Sequence, residues 1–466
     1  MKNIFAFFIL ISFCAHSQNS WKHGRLRVTA DGHYLQYEDG KPFFWLGDTG
    51  WELFHRLKLD EIKTYLGNRK EKGFNVIQAV ILAEFDGLTK PDQNGDVPLI
   101  NNDPEKPNEK YFSFVDSVVQ IALQKNLFMG LLPTWGDKVF KLWGVGPVIF
   151  NVVNAYDYGF FLGKRYKNYP NIIWIMGGDR PAMNDTADFR PVWRAMAAGI
   201  KKGTDGKAIF SYHPSGGDYS SSQFLFEEDW LDINMIQGGH GSGHDVEIWK
   251  LIERDRNIQP AKPTLDDEPN YEDHPVNPWP TWDPANGYYD DYDVRKQTYR
   301  SVFAGACGVT YGHHSVWQFI SPHEEPVNHP KIMNWKEAID RPGAYQVGYL
   351  RKLIESRNAI DRIPDPNIIM EGQGKKAEHI ESFRGADNSY AMIYLPVGKT
   401  ISVNTSFIKN KKIVAWWFDP KNAQAKKIGV FANNSSMKFT SPTTGVGNDW
   451  VLVIDDAANK FSVPGK

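Results

Sequence analysis

The sequence predicts a (β/α)8 barrel followed by a small antiparallel β-sandwich. Eight short apolar runs occur before residue 320, most of them near-continuous and bounded by turn residues, as parallel strands covered on both faces require. Helical periodicity separates many of them, and such alternation eight times over closes a barrel. After about residue 360 the pattern changes to short alternating strands, the signature of a sandwich. A length of 466 residues is too great for one ordinary core and fits a barrel plus a second module. The competing architecture is a doubly wound open sheet. No Gly-rich phosphate fingerprint follows the first strand, which weakens its nucleotide-binding version.

The chain opens with Lys2 ahead of a short apolar run ending at Ala15, His16 and Ser17, the small-x-small pattern of a secretory cleavage site. The run is too short to span a bilayer. Residues 1–17 read as a cleaved signal peptide, and the product as periplasmic or extracellular. Bulky Phe13 beside Cys14 argues against a lipid anchor. Once Cys14 is removed, Cys307 has no disulfide partner, and its Ala- and Gly-rich neighbours mark a packed, inert thiol.

The barrel occupies residues 18–362. Its strands are predicted at 43–47, 75–82, 128–133, 172–176, 208–212, 234–237, 263–265 and 308–311. Helices are predicted at 60–72, 111–125, 151–166, 189–202, 293–306 and 335–356. The sequence Ile363-Pro-Asp-Pro366 forms a stiff, helix-breaking junction. Residues 363–466 form the sandwich, with strands predicted at 378–383, 390–395, 400–404, 412–418, 426–430, 437–440 and 450–454. Side chains alternate along a strand, so of the pair Trp416 and Trp417 one must point inward.

The net charge of −2 leaves no broad positive field for nucleic acid or an anionic membrane. The aromatic content of 14 %, with 16 Trp, fits a ring-rich core or flat platforms for sugar C–H faces.

In a barrel the chemistry sits at the C-terminal ends of the strands. The polar and aromatic residues there are Asp48 and Trp51, then Glu84 and Asp86, Trp135 and Asp137, Asp179 and Arg180, His213, His240, Asp266 to Glu268, and finally His313, His314 and Trp317. Glycoside cleavage needs two carboxyl groups across the scissile bond, one to protonate the leaving oxygen and one to attack or to activate water. Strands four and seven face each other across the mouth, which brings Asp179 and Glu268 into opposition. Asp266 and Asp267 compete with Glu268 for the role. Gly177 and Gly178 are expected to leave room for ligand beside Asp179.

The segments Phe44-Trp-Leu-Gly-Asp-Thr-Gly-Trp51, Asn75-Val-Ile-Gln78, Asn171-Ile-Ile-Trp-Ile-Met-Gly-Gly-Asp179 and Lys262-Pro-Thr-Leu-Asp-Asp-Glu-Pro-Asn-Tyr-Glu272 resemble the apiosidase-like glycoside hydrolases of family 140 over residues 24–360. The tail, with Ala415-Trp-Trp-Phe-Asp-Pro420 and Asp449-Trp-Val-Leu-Val453, looks like the sandwich that follows that catalytic domain and carries a collagen-binding label. The resemblance implies Asp179 as acid/base and Glu268 as nucleophile. It also implies an apiosyl substrate in plant pectic side chains. No cofactor is expected. The expected substrate-binding set is Asp48, Trp51, Gln78, Glu84, Trp135, His213, His240, His313 and Trp317. The sandwich is expected to dock on the barrel or to bind carbohydrate weakly.

Two other chemistries fit less well. His240 and His244 have metal-ligand spacing, but glycines break the intervening segment, so a catalytic metal is not expected. No Gly-x-Ser-x-Gly elbow supports a serine hydrolase. A non-catalytic carbohydrate- or matrix-binding protein, or a glycosidase acting on another furanoside, is the alternative.

Overall fold

The computed structural model describes residues 21–217, 220–322 and 333–466. The segment read as a signal peptide lies outside them. Eight parallel strands form one sheet: β1 (Trp45–Thr49), β2 (Val76–Val80), β3 (Phe128–Leu132), β4 (Ile172–Gly177), β5 (Phe210–His213), β6 (Asn234–Ile236), β7 (Thr264–Asp266) and β8 (Gly308–Tyr311). They neighbour one another in sequence order, with β8 returning to β1. A parallel bridge from Ser211 to Ile233 joins β5 to the residue before β6 and closes the ring.

The covering helices are α1 (Leu59–Glu71), α2 (Glu109–Gln124), α3 (Val152–Tyr166), α4 (Arg190–Gly203), α5 (Ile248–Arg256), α6 (Asp291–Phe303) and α7 (Pro342–Glu355). Asn108, Asn151 and Asp290 cap α2, α3 and α6 by accepting backbone N–H bonds, which starts each helix where the sequence changes from turn to apolar stripe. The single helix predicted over 335–356 is instead two. A short helix, Trp335–Ala338, stops before extended Arg341, and Pro342 opens α7 because proline fits only a helix's first turn. Among the described residues no helix is long and apolar enough to cross a membrane.

The first strand lies two residues later than predicted. Pro42–Phe43 pairs with Leu35–Tyr37, which pairs with Leu26–Val28, in a small antiparallel ribbon. One apolar run therefore serves two sheets. Leu26, Leu35 and Phe43 from the ribbon share a cluster with Trp45, Val76, Ile173, Ile175, Met235 and Leu265, which fill the barrel. That core continues to Trp51, Trp135, Tyr271 and Trp317 at the other end. Cys307 is buried in it, and burial pushes its thiol up to about 12, which fits packing rather than chemistry.

The C-terminal module has a six-stranded antiparallel sheet containing β9 (Arg362–Pro364), β11 (Glu381–Gly385), β12 (Tyr390–Leu395), β14 (Lys412–Asp419), β15 (Gln424–Ala432) and β17 (Trp450–Asp456). A second sheet holds β10 (Ile369–Glu371), β13 (Gly398–Asn404) and β16 (Ser436–Gly445). The junction residues Ile363 and Pro364 belong to β9, an edge strand where a missing N–H is tolerated. Trp417 points into the sandwich core, and Trp416 packs on the opposite face.

That opposite face rests on α6 and α7. Phe303 meets Phe383 edge-on and Tyr299 stacks on Tyr394, both at 4.8 Å. Buried Arg295 pairs with buried Asp449 at 2.9 Å. Arg357, just after α7, bonds both oxygens of Asp455 at 2.9 and 2.7 Å. Apolar contact and bidentate ion pairs together fix the module on the barrel.

Candidate active site

A cleft of about 950 Å3 opens at the C-terminal ends of the strands. Trp51, Trp135 and Trp317 form its buried floor, and Asp179 and Glu268 both line it. Asp179 follows β4 in a turn where Gly177, Gly178 and Asp179 all have positive φ. These glycines do not make room for ligand. A Cβ on Gly177 would lie 2.3 Å from the His213 carbonyl, and one on Gly178 would lie 2.6 Å from the Gly136 nitrogen. They let three loop backbones pack together, with Gly136 N–H donating to Gly178 and Gly178 N–H donating to His213.

Strand periodicity sorts the three adjacent acids after β7. Leu265 points into the barrel, so Asp266 points out and Asp267 points in. Asp266 accepts hydrogen bonds from Ser301 (2.8 Å) and Gln297 (3.3 Å) of α6. Burial pushes its carboxyl up to about 7, and it does not line the cleft. Asp267 accepts from Gln78 and holds His213 Nδ1 at 2.6 Å, which occupies both its oxygens. Glu268 alone of the three reaches the cleft.

His213 Nε2 lies 3.4 Å and His240 Nε2 3.2 Å from the Glu268 carboxylate, and Gln237 Nε2 donates to it at 2.8 Å. Burial opposes the charge on Glu268, but hydrogen bonds and positive charge from the two histidines outweigh it and hold the carboxyl well below the usual range. His213, itself buried, is pushed well above its ordinary value by Asp267 and Glu268, against its own desolvation. Asp179 moves the other way. Burial, then the negative charge of Glu268, raise it to about 6 against Arg180, His213 and a Gln237 hydrogen bond. Two carboxyl groups in one cleft thus have opposite protonation preferences near pH 5, as a general acid and a nucleophile require.

Five residues of the predicted binding set line the cleft: Trp51, Glu84, Trp135, His240 and Trp317. Gln78 and His213 lie beneath it and act on Glu268 through the Asp267 and His213 contacts. The structure corrects two expectations. Asp48 faces out of the barrel, where buried Arg69 bonds it at 2.7 Å and Tyr65 donates to it, so no sugar reaches it. His313 does not line the cleft: it is bound to Asp273 at 3.0 Å and accepts the Ser315 N–H, capping the short helix His314–Trp317. Glu272, also in the motif segment, turns away to Tyr311 at 2.6 Å. Among the described residues no three His, Cys, Asp or Glu side chains converge as a metal site.

Sequence reasoning missed Gln237, Tyr271, His274, Trp143 and Trp279, all of which line the cleft. Gln237 was assigned to the end of a strand spanning 234–237, whereas β6 stops at Ile236 and leaves Gln237 as the first residue beyond the strand end. Tyr271 lies beside Glu268; burial and that negative charge raise its phenol well above its ordinary value.

The model of the "Apiosidase-like, catalytic domain" matches residues 29–361. The chain belongs to the apiosidase-like family. A second model, "Putative collagen-binding domain of a collagenase", matches residues 363–455 of this apiosidase-like chain. A solved structure titled "Glycoside hydrolase" is 34 % identical with a TM-score of 0.84, covering 94 % of this chain and 98 % of that one. A glycoside hydrolase family 5 structure from Bacteroides vulgatus ATCC 8482 is 31 % identical with a TM-score of 0.86, covering 95 % of each chain. No curated protein sequence matches. The chain is a glycoside hydrolase of the barrel type, and the cleft is where its chemistry belongs.

Proposed function

We propose that this glycoside hydrolase is an exported retaining enzyme that releases apiosyl groups from plant pectic side chains. Glu268 is the nucleophile and Asp179 the acid/base. The observation that carries the assignment is the opposed protonation of two carboxyls sharing one cleft, Asp179 raised to about 6 and Glu268 depressed. Gln237 Nε2 donates to Glu268 at 2.8 Å and orients that carboxylate. The retaining reading follows from Glu268 being held ionised as a nucleophile; retaining pairs stand about 5–5.5 Å apart, whereas inverting pairs need about 6.5–9.5 Å to admit water.

In this mechanism the ionised Glu268 attacks the anomeric carbon while protonated Asp179 gives its proton to the leaving oxygen. The bond from anomeric carbon to leaving oxygen breaks, and a glycosyl ester forms on Glu268. Asp179, now ionised, takes a proton from water as that water attacks the anomeric carbon and frees Glu268. The apiosyl assignment rests on family membership, and export on the leading segment 1–17.

The test is proton NMR of the first turnovers on an apiose-bearing pectic oligosaccharide. Free apiose released with its original anomeric configuration is expected. Net inversion overturns the pair's roles. No release, with another furanoside cleaved instead, overturns the sugar.

A further inference from the structure

The cleft treats its tryptophans in two ways. Trp51, Trp135 and Trp317 are buried in the floor, whereas Trp143 and Trp279 are 63 % and 59 % exposed on the rim. An exposed indole is unremarkable by itself. What distinguishes Trp143 is the rigidity of its mounting. Its loop is tied from below by buried Asp137, which pairs with buried Lys138 at 2.8 Å and accepts the Gly146 N–H at 2.8 Å. Gly144 packs so tightly that a Cβ there would lie 2.4 Å from Asp137 Cβ and 2.5 Å from Arg180 Nη2. The Arg180 guanidinium sits 4.2 Å from the centre of the Trp143 ring. Arg180 is itself anchored, donating through Nη1 to the Asp179 carbonyl at 2.7 Å, with its side chain only 2 % exposed. The indole therefore rests on a buried cation and opens its remaining surface to the cleft.

We propose that Trp143 is the stacking platform for the leaving-group sugar, so that the preferred substrate is a glycoside whose leaving group is itself a sugar ring. The proposal rests on Asp179 as the acid. The acid protonates the leaving oxygen, so the leaving group lies on the side of Asp179, and Arg180 links the two, bonding the Asp179 carbonyl while its guanidinium lies against the Trp143 ring. A flat indole matches the C–H face of a sugar ring, and its fixed mounting means little order is lost on binding.

The experiment compares wild type, Trp143→Ala and Trp143→Phe on a disaccharide and on the methyl glycoside of the same glycone, using whichever glycone wild type cleaves. A wild type inactive on apiosides thus removes the apiosyl assignment and leaves this comparison intact. Trp143→Ala is expected to lose roughly 10- to 100-fold more kcat/KM on the disaccharide than on the methyl glycoside, chiefly through KM. Trp143→Phe is expected to recover most of that difference. The upper limb of the pH profile, set by Asp179, is expected to stay in place. Equal losses on both substrates, no loss on the disaccharide, or a moved upper limb would each overturn the proposal.

Discussion

Replacing Glu268 with Gln removes a charge without changing shape, and the consequence should be visible on Asp179. The two carboxyls line one cleft, and the negative charge of Glu268 is among the causes that raise Asp179. Across the roughly 5 Å that a retaining pair spans, with an effective dielectric of about 20, two unit charges repel by about 3 kcal/mol. This corresponds to roughly two pKa units. Asp179 keeps 27 % exposure at the cleft, so water screens part of the repulsion. We expect Asp179 to titrate roughly one unit lower in Glu268→Gln than in wild type, where it stands at about 6. Carbon NMR of aspartate carboxyls, with Asp179→Asn to assign the signal, reads this directly. The same variant should lose more than about 10³-fold in kcat, as removal of a covalent nucleophile does. An Asp179 titration that ignores the substitution would refute the coupling and with it the catalytic pair.

Three further outcomes are expected, two in the cleft and one where the sandwich meets the barrel. Asp179 must be protonated to act as acid, so the wild-type rate should fall as pH rises through about 6; Glu268 must be ionised, and His240→Ala should therefore move the low-pH limb upward in a rate profile, since losing that bond lets its carboxyl rise toward the ordinary range. Asp455→Ala leaves Arg357 buried without its bidentate partner and should cost about 3 kcal/mol of stability in urea unfolding, whereas a loss under about 1 kcal/mol would mean the pair does not hold the sandwich to the barrel.

Much of the fold was readable because its signals are local. Parallel strands covered on both faces must be apolar along their length, and helices must carry a stripe, so the order of barrel elements follows from periodicity alone. Placing Asp179 and Glu268 needed one rule more, that chemistry gathers at strand ends, together with the opposition of strands four and seven.

What periodicity leaves open is phase. Alternation states that Asp266 and Asp267 point oppositely, yet which one faces inward depends on how β7 registers against β6 and β8. The same ambiguity turned Asp48 from a sugar ligand into the partner of Arg69, because Asp48 lies within β1 rather than after it, and with Trp45 pointing into the barrel the alternation sends Asp48 outward to α1. His313 was lost to the site through Asp273, forty residues away in the chain, and Glu268 acquired its low pKa from histidines on two other strand ends. Residue identity and spacing determined the architecture and the two candidate carboxyls. Only the closed barrel decided which carboxyl is buried, bonded or charged, because those properties belong to neighbours brought together by strand register and not by sequence.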